Sequence, residues 1–430
     1  MLDSRFIREN VDTVREAIRS RNEPADLDRF LHLDERKRAL QVEVEGLRQR
    51  RNHVSEQIAA LKKHGEEPAS LITQIKVVSQ KIKAYACELR ALNAALEQVL
   101  LSIPNIPDLS VPRGSSDSDN VEVRRWGHLP ELPFSPLPHW ELGGRLGILD
   151  LKRASKIAGS GFVLFRGAGA RLKRALISFM LDVHTEQHGY TEVLPPFLTV
   201  RAAMTGTGQL PKMEGDMYRC EEDDLFLVPT AEVPVTNIHR DEILHGTDLP
   251  LCYVAYTPCF RREAGAPGRE TRGLIRVHQF DKVELVQFVK PESSLHELEH
   301  LVRDAEKVLQ LLELPYRIVS LCTGNLSFAS AKRYTIEVWA AGVGRYLPVS
   351  SCSSYTDFQA RRANIRFRRS PRSKPEFVHT LNGSGLALPR TVVAIMENQQ
   401  LEEGTIRVPA VLRPYMGGME VIEGETDGLD

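Results

Sequence analysis

The chain has 430 residues, an apolar share of 42% with 7% aromatics, and 56 basic against 57 acidic side chains, for a net charge of −1. That length exceeds what one compact core ordinarily holds and predicts at least two domains. Near-neutrality excludes a whole-molecule field that gathers polyanions, so any nucleic-acid binding has to use a local patch.

The start, MLDSRFIREN, is charged within its first positions, and no window approaches a membrane-spanning apolar run. This predicts a cytoplasmic protein with neither membrane span nor secretory signal. The six cysteines, Cys87, Cys220, Cys252, Cys259, Cys322 and Cys352, never form a C-x-x-C pair. They read as reduced and mostly buried thiols, with no disulfide framework and no zinc ribbon.

From about Asp26 to Leu100 the apolar residues recur at three-four spacing: Leu33, Leu40, Val44, Leu47, Val54, Ile58 and Leu61, then Leu71, Ile75, Val78, Ile82, Tyr85, Leu89, Leu92, Leu96 and Val99. This is a heptad seam, interrupted by His64-Gly65-Glu66-Glu67-Pro68, where glycine and proline stop a helix and permit a reversal. An antiparallel helical hairpin with arms of roughly 50 Å follows from 1.5 Å per residue. Lys37 and Arg51 fall on the seam, where their long stems would lie across it. The seam alone also suits an oligomerisation coiled coil. The distal half carries Arg48, Arg50, Arg51, Lys62, Lys63, Lys76, Lys81 and Lys83 with few acids between them, a stripe suited to a phosphate backbone or simply to solvent.

Proline, serine and aspartate concentrate from Ser102 to about Val123 and mark a linker. Beyond Trp126, amphipathic helices are predicted at Gly169 to His188 and Ser293 to Leu312. They alternate with strands at Leu225 to Pro229, Leu251 to Arg262, Leu274 to Val289 and Tyr334 to Trp339. The two middle strands, joined by Glu263 to Gly273, read as a long hairpin, giving an α+β fold on an antiparallel β-sheet. Residues from Gly417 onward are acidic, glycine-rich and expected to fray. On the hairpin, Cys259, Arg261 and Glu263 share one face, as do Arg276, His278, Phe280, Lys282 and Glu284. Charge without a clean solvent face predicts either a polar cavity floored by the sheet or a salt-bridge ladder.

No Walker sequence or strand-linked G-x-G-x-x-G is present, so phosphate would have to be bound by arginine. The segment CFRREAGAPGRETRGLIRVHQFDKVE, with VPTAEVPVTN at 228–237 and LNGSGLALPRTVVAIMEN at 381–398, resembles the seryl branch of the class II aminoacyl-tRNA synthetases. The likeness extends to MLDSRFIRENVDTVREAI and the hairpin, and so to nearly the whole chain.

The resemblance implies a tRNA-binding domain at 1–103 with a coiled-coil arm over about 26–100, a linker at 104–125, a class II catalytic domain at 126–416 and an acidic tail at 417–430. It implies an antiparallel sheet flanked by helices that makes seryl-adenylate from serine and ATP, releasing pyrophosphate, and then esterifies tRNA-Ser. Selenocysteine tRNA is left open as a further acceptor. Two carboxylate- and phosphate-bearing anions must meet, a task for fixed positive charge more than for an acid or base. By resemblance Arg261 holds the α-phosphate and the serine carboxylate, Glu263 reads the adenine amino group, Phe280 stacks on adenine and Arg390 covers its other face near the γ-phosphate. Arg262, Val277, His278 and Val349 to Ser351, including Ser350, complete the implied ATP site, with His278 structural rather than a base. Thr230, Ala231, Glu232, Arg261, Glu284, Asn382 and Ser384 are the implied serine pocket.

The arm and the loop bearing Arg269 and Arg272 are the implied tRNA contacts, and the segment from Gly169 to Leu198 the implied homodimer interface. ATP is a substrate, magnesium is expected with it, and zinc is not. The sequence departs from the family where Pro348 precedes Val349-Ser350-Ser351: the family has a glutamate there that holds magnesium. Ser351 remains the one implied metal ligand, and a raised magnesium requirement is expected. The alternatives are an amino acid:carrier-protein ligase, whose relatives lack the arm, and a noncatalytic tRNA-binding paralogue.

Overall fold

The computed structural model describes residues 1–264 and 272–424. It comprises two compact units, Met1–Arg19 with Glu23–Pro104 and Ser20–Asn22 with Asn105–Asp430. The first is dominated by α1 (Leu27–Lys63) and α2 (Ala69–Ser102). Asp26 caps α1, its side chain accepting from the Arg29 amide at 2.9 Å, and α1 ends at His64 before Gly65, whose φ of 78° lies in the left-handed region. Every predicted seam residue is buried or half-buried, and Arg36 on α1 pairs with Glu88 on α2 at 2.7 Å. Lys37 and Arg51 are half-buried, whereas Arg48, Arg50, Lys62, Lys63, Lys76, Lys81 and Lys83 stay exposed.

The second unit is built on an eight-stranded sheet of β1 (Val121–Trp126), β2 (Thr191–Glu192), β3 (Leu251–Phe260), β4 (Gln279–Val289), β5 (Tyr316–Ser320), β6 (Lys332–Ala340), β7 (Arg345–Ser354) and β8 (His379–Ala387). The order is β1-β5-β6-β7-β8-β4-β3-β2, antiparallel at every pairing except the parallel edge β2–β3. Helices α3 (Gly167–Asp182), α4 (Ser294–Leu311) and α5 (Leu388–Asn398) cover one face, burying Leu176, Leu301, Val302 and Val393 against Val283, Leu285, Ile336 and Leu381. Period-two alternation on β4 sends Val283 and Leu285 into that core while Phe280, Lys282 and Glu284 line a cleft on the opposite side.

Several boundaries differ from the sequence reading. β3 stops at Phe260 and β4 starts at Gln279, leaving Arg261 to Glu263 and Leu274 to His278 outside the strands. The His278 amide donates to Gly161 O at 2.8 Å, a route open because Gly161 lacks a Cβ that would lie 2.4 Å from the His278 ring. α3 ends at Asp182 and widens into a π-helical turn, Val183–Gln187. The stretch read as a linker is laid onto the second unit: Asn105 Nδ2 donates to Ala329 O and Tyr355 O, and β1 pairs with β5. Its prolines prevent a helix, but docking still satisfies the backbone. In the tail, Val421–Ile422 pairs with Ile406–Arg407 because Ile422 has a buried site to fill, so fraying does not begin at Gly417; residues 425–430 lie outside those described.

The cysteines are free, but only Cys259, Cys322 and Cys352 are buried; Cys220 and Cys252 are half-buried and Cys87 is exposed. No described helix is long and apolar enough to cross a membrane.

Candidate active site

The cleft has a volume of about 920 Å³ and is floored by β4, β6, β7 and β8. At one end lies an acidic and amide cluster. The Glu232 backbone amide is held by Thr230 Oγ1 at 3.2 Å, at the start of the short helix Glu232–Thr236. Its carboxylate accepts from Gln359 Nε2 at 2.7 Å and from Asn382 Nδ2 at 3.2 Å. Asn382 Nδ2 also donates to Glu284, which accepts from Ser384 Oγ at 3.3 Å and pairs with Lys282 Nζ at 2.6 Å. Tyr355 OH donates to Asn382 Oδ1 at 2.6 Å and fixes the amide's orientation. Glu284 is 1% and Glu232 7% exposed. Burial, reinforced by the Glu284 charge, pushes the Glu232 carboxyl above the usual range.

Next to this cluster the charge reverses. Arg261 donates from Nε to Pro229 O at 3.3 Å and lies over the Phe280 ring, 5.2 Å from its centroid. Glu263, at φ 52°, accepts from Arg276 Nη1 at 2.8 Å. Arg390, on the first turn of α5, donates to Ile275 O at 3.1 Å and to Pro348 O at 2.7 Å. Burial first, then Arg276 and Arg261, push its guanidinium down to about 10, so it remains a cation at neutral pH.

The cleft thus brings together Thr230, Glu232, Arg261, Glu263, Val277, Phe280, Glu284, Val349, Ser350, Ser351, Asn382, Ser384 and Arg390 from the sequence expectation. Three expected residues do not line it. Ala231 packs in an apolar cluster with Val286 and Phe288, Arg262 lies over the Tyr218 ring, and His278 binds Arg261 O through Nδ1 at 3.1 Å beside Phe162. Arg272 lies over Trp140, and Arg269 falls outside the described residues.

Sequence reasoning missed Tyr355, Gln359, Arg333 and Glu337. The last two were legible in KRYTIEVW, where Arg333, Thr335 and Glu337 alternate with buried Tyr334, Ile336 and Val338. Arg333 donates from Nη2 to Ser351 Oγ at 2.6 Å, and Glu337 is paired with Arg317 at 2.7 Å.

Magnesium needs hard oxygen ligands. The residues present do not fit a protein-held ion at the expected place: Pro348 has no side-chain oxygen, and its carbonyl and the Ser351 hydroxyl both accept from arginines. No group of three or more His, Cys, Asp or Glu side chains among the described residues is arranged for a metal.

Residues 1–107 match the seryl-tRNA synthetase N-terminal domain, and 216–399 the tRNA synthetase class II core domain (G, H, P, S and T). The chain is 56% identical over 423 residues to the serine–tRNA ligase of Pelobacter propionicus and 57% identical over 423 residues to that of Geobacillus kaustophilus, in each case over 98% of this chain and 100% of the relative. Its fold superposes with a TM-score of 0.94 on seryl-tRNA synthetase from Pyrococcus horikoshii complexed with ATP, at 39% identity, covering 99% of this chain and 100% of the other.

Proposed function

The chain belongs to the seryl-tRNA synthetase family of class II ligases, and from that premise we propose how its cleft joins serine to tRNA. One observation carries the reading: a small buried acidic and amide cluster stands directly beside a row of arginines, so one cleft offers opposite charge to the two ends of an amino acid. Glu232 and Glu284 neutralise the serine ammonium and accept from its hydroxyl, while Asn382 and Ser384 leave room only for a short side chain. Polar groups that the substrate hydroxyl satisfies would be left unpaired by alanine, which is the basis for rejecting it.

Arg261 receives the serine carboxylate and the ATP α-phosphate, because a planar guanidinium presents parallel N–H donors to two oxyanions. Phe280 and Arg390 flank the adenine and Glu263 accepts from its amino group. A carboxylate oxygen of serine attacks the α-phosphorus, the bond to the β-phosphate oxygen breaks, and pyrophosphate departs. The arginines stabilise the charge spread over the phosphoryl oxygens without moving a proton. A terminal ribose hydroxyl of tRNA then attacks the adenylate carbonyl, the carbonyl carbon's bond to the phosphate oxygen breaks, and the hydroxyl proton passes to the phosphate of the departing AMP. The magnesium that the resemblance implies has no fitting side-chain oxygens at Pro348 and Ser351, so no step is assigned to it.

The arm grips tRNA-Ser by shape and phosphate contacts through its exposed basic residues, and the loop bearing Arg269 and Arg272 meets the acceptor end. The domain scheme of a 1–103 region with its arm, a 104–125 linker and a 126–416 catalytic region, the homodimer interface from Gly169 to Leu198 and a cytoplasmic setting belong to the same proposal. Serine-dependent exchange of labelled pyrophosphate into ATP, without tRNA, tests the site. Exchange with serine and none with alanine is expected; absence of exchange with serine would overturn the assignment.

A further inference from the structure

At the Pro348 end of the cleft, the two oxygens at the expected metal position are each already an acceptor for an arginine. Ser351 Oγ accepts from Arg333 Nη2 at 2.6 Å, and Pro348 O accepts from Arg390 Nη1 at 2.7 Å. A bulge at Val349 of β7, between the pairs Ile336–Ser350 and Glu337–Pro348, sets Glu337 opposite Pro348, where its carboxylate could replace the missing glutamate. That carboxylate is engaged by Arg317 Nε at 2.7 Å.

Arg333 itself is short of partners. Its Nε is enclosed without a hydrogen bond, and no carboxylate among the described residues forms an ion pair with it. One further cation, Arg261, faces it on the cleft wall, and the Glu232 carboxylate acts on it only from beyond ion-pair distance. An arginine does not shed its proton, so a desolvated guanidinium without a counter-charge is costly unless an anion arrives. Phosphate oxygens suit it best, because the guanidinium fork matches them with two parallel hydrogen bonds. A divalent ion at either oxygen would displace an arginine hydrogen bond and meet the repulsion of that guanidinium group.

We propose that Arg333, together with Arg390, supplies as fixed side-chain charge what a protein-held divalent ion supplies to the ATP phosphates in the family, making nucleotide binding nearly independent of magnesium. This rests on the ATP-site reading above and deepens it. It reverses the raised magnesium requirement expected from Pro348 alone, since that expectation left out the cation on the adjacent strand. Ser351 becomes an acceptor that aims Arg333 instead of a metal ligand.

The test is calorimetric titration of the full chain with ATP, without serine or tRNA, in EDTA and in excess magnesium. The two dissociation constants of the wild type are expected to agree within about threefold. Arg333→Gln, which removes the charge and frees Ser351, is expected to bind more than about threefold more weakly in EDTA than in magnesium, as one lost charge-assisted contact requires. A wild-type ratio above threefold, or a ratio below it in the variant, overturns the proposal. The wild-type comparison decides alone if the variant does not fold. Binding only with magnesium sinks the arginine assignment and leaves the ATP site standing; no binding in either condition sinks both.

Discussion

Replacing Glu232 by glutamine separates what the acidic cluster does for the substrate from what it does for the fold. The wild-type carboxylate has both oxygens engaged, by Gln359 at 2.7 Å and Asn382 at 3.2 Å, and burial together with Glu284 opposes its charge. Glutamine keeps the shape but offers one acceptor, so one of the two amide donors loses its partner at a cost of about 1–3 kcal/mol. Removing a buried carboxylate next to another one relieves a penalty of similar size, and the two effects nearly offset. Serine loses the charge that meets its ammonium, an interaction worth about 1.5–3 kcal/mol, or roughly ten- to a hundredfold in affinity. Pyrophosphate exchange should therefore show a serine KM raised by about that factor. The thermal midpoint should stay within a few degrees of wild type, since about 2 kcal/mol moves a protein of this size by only that much. An unchanged serine KM would refute the substrate role, and a large fall in the midpoint would show that Glu232 is a structural acid.

Arg261→Lys keeps the charge but gives up the two-pronged geometry, so exchange should slow by about 10²–10³-fold; a loss below tenfold would mean that Arg261 is not the residue that joins the two anions. Deleting residues 41–86 and rejoining the helices should abolish transfer to tRNA while leaving pyrophosphate exchange intact, and retained transfer would remove the arm from recognition. His184, fully buried, is pushed down to about 3 by burial and then by His188, so it stays neutral in the folded state while the unfolded chain takes up a proton below about 6.5. Its contribution to stability is complete above that pH and is lost as pH falls toward the folded value, amounting to about 2 kcal/mol between pH 7 and pH 5. The fall in thermal midpoint over that interval should be smaller in His184→Gln, and equal falls would refute the buried-neutral assignment.

The long-range pattern of the arm was legible because a heptad seam repeats locally and its apolar residues can bury only against each other. The motif residues around Arg261, Phe280 and Glu284 were legible from the resemblance, and their polar cavity from period-two alternation. What escaped depended on pairing between distant strands. Arg333 on β6 reads as a solvent-face cation until β7 places Ser351 beside it, and Pro348 reads as a lost ligand until Arg390 is found on its carbonyl. Gln359 and Tyr355 gave no signal, since a glutamine in a short helix or a tyrosine just past a strand end is ordinary until Glu232 and Asn382 are found as their partners. Arg262 and His278 turn away from the cleft that their neighbours Arg261, Glu263 and Val277 line, Arg262 onto the Tyr218 ring and His278 onto Arg261 O.

The central claim is tested most directly by transfer of labelled serine to total tRNA with ATP, using the purified full chain. Serine-specific, ATP-dependent formation of acid-precipitable, base-labile label is the predicted result. No label on tRNA that a second synthetase charges normally would contradict it.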